Sequence, residues 1–198
     1  MNYKIYQKAR DAVWRILIDC GVDRLPVDLN HICRQLGVGV YRYKDIKGLP
    51  EAALQADGLL YFRDDMPVIL YNQDKPSVRI RFTIAHELGH LLLGHVAPGE
   101  QAIVKREQWM TDDPIETAAN QFAIRLLAPA CVLWGLGTDT PEQIACKCNI
   151  SMQAARFRAK RMVILRQRGK FLSSQLERQV YDCFLPFIRE VRQTPGGV

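Results

Sequence analysis

Residues 86–90 read His-Glu-Leu-Gly-His, and no other stretch of the chain restricts its fold and chemistry as tightly. Two histidines four positions apart lie about 40° apart around an α-helix and one turn along it, so both imidazoles can reach a single point beside the helix. That arrangement suits one metal ion, and Glu87 between them is placed to hold and deprotonate a water. The motif needs a helix under it. The flanking residues supply one, because Pro76 and Ser77 open a helical pattern that continues to about Leu93, with Gly94 as its stop. Around this helix Phe82, Ala85, Leu88, Gly89 and Leu92 belong to the packing arc, and His86 and His90 sit to one side of its centre.

A catalytic zinc site takes three protein ligands and keeps a fourth position open for water. In the longer consensus a third histidine follows six residues after the second. Here that position is Val96, and the glycine the consensus requires is Leu93. His95 falls one residue short of it and reads as a cation at the helix C-terminus or a rim residue near substrate, with ligation as its alternative. Glu116 is the stronger candidate. It lies in the run ETAANQFAIRLLAP, on a helix expected from Pro114 to Leu127 and stopped by Pro129. With Asp113 as N-cap and Pro114 at the first position, Glu116 also fits a capping box. Yet it shares a row with Asn120 that borders the apolar face of Ala119, Phe122 and Leu126, and a carboxylate beside a packed face needs a partner. A metal ion is one, and Asn120, one turn on, is placed to hydrogen-bond a ligand imidazole. An oxyanion donor is also required, and Tyr43, Tyr61, Tyr71 and His95 are candidates for it, Tyr71 and His95 also as residues that could touch substrate.

The rest of the chain reads as scaffold. Residues 3–19 form an amphipathic helix ended by Gly21, and residues 27–36 a second one between Pro26 and Gly37. Short β-like runs follow at Val38–Tyr43, Gly58–Phe62 and Val68–Tyr71, the last two joined by a turn over Arg63–Pro67, which suggests a hairpin or small antiparallel sheet. From Pro141 a short helix, a turn at Asn149–Ser151 and one or two further helices are expected, then a loose PGGV tail. The expected fold class is α+β, mostly helical, with a catalytic domain over residues 1–138 and a helical C-terminal region over 139–198.

Cysteine spacing and charge narrow the alternatives. Six scattered cysteines in a chain long enough to bury its own core are expected to be reduced thiols, and Cys146 and Cys148 lack the second pair a zinc finger needs. The formal charge of +6 traces to residues 156–170, which hold seven basic and no acidic side chains. Such a run can contact nucleic acid, though Met162, Val163, Ile164 and Leu165 interrupt it and a solvated helix explains it as well. No run approaches the 18 or so apolar residues that span a bilayer, and the N-terminal residues interleave charge with apolar side chains. No membrane contact is expected, and the cytoplasm is the expected location.

The combination RFTIAHELGHLLLGH at 81–95 and ETAANQFAIRLLAP at 116–129, preceded by a GLLYF…VILYN hairpin, resembles the ImmA/IrrE family of zinc metallopeptidases. The resemblance spans roughly residues 25–165 and takes in TPEQIACKCNISMQAARFR at 140–158, which looks like the helix-turn-helix-like element that often follows the catalytic part. It implies a zincin-like fold, His86, His90 and Glu116 as zinc ligands and Glu87 as catalytic base. It also implies a helix-turn-helix repressor as protein substrate, cut to release stress-response or mobile-element genes. Two other classes compete with this reading: a DNA-binding regulator that docks residues 140–170 on a duplex, and an interaction protein whose metal site is structural or inactive.

Overall fold

The computed structural model describes residues 3–49, 51–97 and 113–193. In chain order it contains α1 (Tyr3–Asp19), α2 (Leu29–Gln35), β1 (Gly39–Arg42), a 3-10 turn (Tyr43–Asp45), α3 (Glu51–Leu54), β2 (Gly58–Arg63) and β3 (Met66–Tyr71). Then follow α4 (Ser77–Leu93), α5 (Pro114–Leu127), α6 (Ala130–Leu136), α7 (Pro141–Cys148), α8 (Met152–Gln167) and α9 (Gln175–Gln193). The mostly helical α+β class is what the sequence led one to expect; the PGGV tail lies outside the described residues. Those within Met1–Ala12 and Leu29–Ala123 form one compact unit, and those within Val13–Asp28 and Ile124–Val198 a second.

The first unit is organised by a three-stranded sheet in the order β1-β3-β2. β2 and β3 form the expected antiparallel hairpin, closed by only two residues, because Asp64 and Asp65 adopt left-handed backbone (φ 49° and 61°) whose twist matches the strands. The turn is therefore shorter than the Arg63–Pro67 segment read from sequence. Pro67 sits inside β3 but before Val68, where pairing with β1 begins, so its missing N–H costs that ladder nothing. The sheet is mixed, not purely antiparallel, since β1 runs parallel to β3. The cause is connectivity: residues 43–57 carry the chain across one end of the sheet, so β2 starts level with the end of β1 and runs back.

That end of the sheet meets α4. A Cβ on Gly58 would lie 2.3 Å from Thr83 Cγ2, 2.9 Å from the Leu70 carbonyl and 3.8 Å from Glu87 Cγ, so only glycine permits the contact. Asp57, immediately before it, is buried and paired with Lys75 (3.0 Å) and Arg79 (2.6 Å), and its carbonyl accepts from the Asn72 amide. Burial opposes ionisation of Asp57, and the two cations overcome it and hold its carboxyl below the usual range. Ile32, Leu60, Ile69, Leu70, Leu88 and Phe122 are fully buried in this unit. Phe82 to His90 is buried without a break, so this middle stretch of α4 is enclosed on all sides.

In the second unit α6 packs on α9 and α7 on α8. Gly135 permits the first contact, since a Cβ there would come within 2.8 Å of Tyr181 and Ile188. α9 presents Val180, Phe184 and Ile188 as its buried stripe. α7 begins with a capping box between Thr140 and Gln143 and ends at Asn149 in the left-handed conformation (φ 50°), and Ser151 caps α8 by accepting from the Ala154 amide. Ile144, Cys148, Ile150 and Ala154 are buried along this helix-turn-helix. The basic run is less available than its composition suggests. Arg158, which with Arg156 and Lys160 would have to meet phosphates if this region bound DNA, is buried and donates Nε to the Ala128 carbonyl at 2.7 Å, and Arg166 is paired with Asp139. The cysteines are free thiols, Cys146 exposed and Cys148 buried. By length and composition Pro114–Leu136 could cross a bilayer, but 83% of its most apolar window is buried within the fold, as for core helices.

Candidate metal centre

His86 and His90 lie one turn apart on α4, almost fully buried, with their Nε2 atoms 3.0 Å apart and their rings edge to face. Glu116 enters from the first turn of α5. Its two carboxylate oxygens stand 3.2 Å from His86 Nε2 and 3.5 Å from His90 Nε2. Asp113 caps that helix by accepting from the Ile115 amide at 2.8 Å, while the carboxylate of Glu116 points at the imidazoles. Gly89, inside the motif, lets the two helices come this close: a Cβ there would lie 3.2 Å from Ala119 Cα, Ala119 O and Phe122 Cβ.

Two of those three atoms are backbone within α5, so a Gly89→Ala side chain must push the helix bodily. Crowding a packed site costs about 1–3 kcal/mol, against which alanine gains roughly 1 kcal/mol of helix propensity. Stability should therefore fall by at most about 2 kcal/mol, while affinity for a divalent metal, read by chelator competition, should fall at least tenfold as Glu116 moves off the histidines. Unchanged affinity would show that the helix spacing does not set the site.

Three electron-pair donors thus face one another, with all ligand atoms within 4.8 Å. Donors held about 2.0–2.2 Å from one ion lie roughly 3–3.6 Å apart, which is the spacing observed here. The residues fit a divalent metal. Burial works against ionisation of Glu116, but its contacts with His86 and His90 prevail and pull its carboxyl down to about 2, leaving an anionic donor. Glu87, next to His86 in sequence, is buried, its Cγ facing the gap that Gly58 leaves.

The remaining candidates are placed less uniformly. Asn120 is buried one turn beyond Glu116. His95 is half-buried with its Nδ1 3.3 Å from His90 Nδ1, on the far side of that ring from Glu116; burial, with His90 and Lys8 nearby, lowers its imidazole to about 4. Tyr71 ends β3 level with Gly58, within electrostatic reach of Arg42. Tyr43 is the tyrosine that feels the site. It is buried in the turn after β1, its hydroxyl without a hydrogen-bond partner among the described residues, and burial together with Glu87 and Asp57 raises its phenol. Nothing local in the sequence separates it from Tyr61 or Tyr71, because its position depends on where the sheet end meets α4.

An HExxH helix joined by a glutamate from the following helix, beside a small mixed sheet, defines a metallopeptidase type of site. A model of the family described as IrrE N-terminal-like domain, Peptidase_M78, matches residues 35–160. The chain belongs to this family, the ImmA/IrrE metallopeptidases. No curated protein matches it closely enough to report.

Proposed function

We propose that this chain is a zinc-dependent endopeptidase of the cytoplasm that cuts a helix-turn-helix transcriptional repressor and so releases genes of a mobile element or a stress response. His86, His90 and Glu116 hold the metal, Glu87 is the catalytic base, and Asn120 steadies a ligand imidazole. A metal there supplies Lewis acidity and a water that ionises near neutral pH. Glu87 takes the proton from the attacking water and delivers it to the leaving amine as the peptide bond breaks. Its burial keeps bulk water from that proton. β2 is an edge strand whose first residue abuts Glu87, so an extended peptide added to its open side would pass the base.

The observation that carries this reading is the meeting of two Nε2 atoms and one carboxylate from successive helices, with a second, buried carboxylate beside them. The three donors found among the described residues are the set that catalytic sites use, whereas structural sites add a fourth. Imidazole and carboxylate favour zinc, with manganese or iron the other ions such donors accept. The repressor follows from the family's usual role. Purified protein with zinc, incubated with the repressor encoded beside its gene, should yield a discrete cut product that a chelator abolishes. An intact repressor contradicts the choice of substrate, and failure to cut an unfolded polypeptide such as casein as well contradicts the peptidase.

A further inference from the structure

The end of α4 does more than stop the helix. Gly94 is left-handed (φ 73°), its amide bonds back to the Leu91 carbonyl, and the His95 amide bonds to the His90 carbonyl at 2.9 Å. These two bonds make a Schellman motif, in which the residue after the glycine is folded back onto the residue five positions earlier. That contact is ordinarily apolar. Here the two residues brought together are His95 and His90, whose rings meet edgewise at 5.2 Å and 74°, with the Nδ1 atoms 3.3 Å apart. Lys8 reinforces the same helix end by donating Nζ to the Leu93 carbonyl at 3.1 Å.

Two ring nitrogens at that distance share one proton. His90 turns Nε2 toward His86 and Glu116, and a neutral imidazole that offers Nε2 as a lone-pair donor carries its proton on Nδ1. His90 is then the donor and His95 Nδ1 the acceptor, with the His95 proton on Nε2. Histidine ligands regularly give their second N–H to a carboxylate, carbonyl or water that fixes ring and tautomer.

Resting on the metal site proposed above, we infer that His95 is a positioning residue for His90, an imidazole in the place such an acceptor normally takes, delivered by the helix C-cap. The spacing that makes His95 one residue short as a ligand is the spacing that the cap needs. The sequence GH directly after LLL is thus part of the metal site without touching the metal.

The test measures zinc affinity of the full chain by competition with a chromogenic chelator, for wild type, His95→Ala and His95→Gln, with thermal denaturation of each metal-free protein as the folding control. His95→Ala should weaken zinc by about 10–100-fold, the cost of losing such a partner, and His95→Gln, whose amide oxygen can accept, should recover much of it. In parallel, nitrogen-15 spectra of the wild-type histidine rings should show zinc-loaded His90 protonated at Nδ1 and coupled to His95. This readout stands even if a variant fails to fold. Unchanged affinity in a folded His95→Ala, equal losses in both variants, or a His90 proton on Nε2 would each overturn the role. Wild type that takes up no zinc would instead remove the metal site itself, and this inference with it.

Discussion

Glu87→Gln is expected to bind one zinc per chain as tightly as wild type and to cut its substrate slower by a factor of 10² to 10⁴, the usual share of a positioned base. Glutamine keeps the shape that fits beside Gly58, where the side chain packs in an interior that leaves it 1% exposed. What it loses is the capacity to take a proton and return it. Single-turnover cleavage of the candidate repressor, with metal content measured on the same sample, separates the two effects. Full activity in this variant would reject Glu87 as the base, and lost zinc would show that the residue is needed to build the site.

Glu116→Ala should give the opposite pattern, losing metal first and activity as a consequence. The carboxylate is an anionic donor between two neutral ones, and removing it leaves two imidazoles 3.0 Å apart and no third ligand among the described residues. If each of three ligands carries about a third of the 10–16 kcal/mol typical of apparent zinc binding, the loss is about 3–5 kcal/mol, or roughly a thousandfold in affinity. Isothermal titration with zinc at neutral pH measures it. Near wild-type affinity in a folded Glu116→Ala would mean that another group takes its place. Together the two variants distinguish a catalytic centre from a structural one, because only in a catalytic centre does losing a non-ligating carboxylate spare the metal yet abolish turnover.

Much of this site was legible because its signals are local. Two histidines at i and i+4 need only a helix, and Gly94, Asp113 with Pro114, and Pro129 mark helix ends at positions where α4 and α5 do begin or stop. α6 leaves no signal in the sequence because ACVLWGL is apolar nearly throughout and mostly buried, with no polar face to give it a period. α3 is a four-residue turn of helix, too short for any pattern. The parallel direction of β1 depends on how residues 43–57 cross the sheet end, which no window of sequence contains. Arg158 reads as one more cation in a basic run, yet the Ala128 carbonyl beyond the end of α5 takes its Nε–H and draws it inside. His95 falls one residue short of a ligand consensus, and its place follows instead from cap geometry. Tyr43 carries no local mark at all; its burial against Leu59, Val68 and Leu70, within electrostatic reach of Glu87, is a product of the fold.

The central claim is that two imidazoles and the Glu116 carboxylate bind one divalent cation. X-ray absorption at the zinc edge on the protein loaded with one equivalent tests it most directly, because nitrogen and oxygen donors stand about 2.0–2.2 Å from zinc and thiolate sulfur about 2.3 Å. The account predicts a shell of nitrogen and oxygen only, with the imidazole scattering of two histidines, and loss of that bound-zinc signal in Glu116→Ala at the same loading. A sulfur shell would place the metal on the cysteines, and a spectrum indifferent to residue 116 would contradict the site.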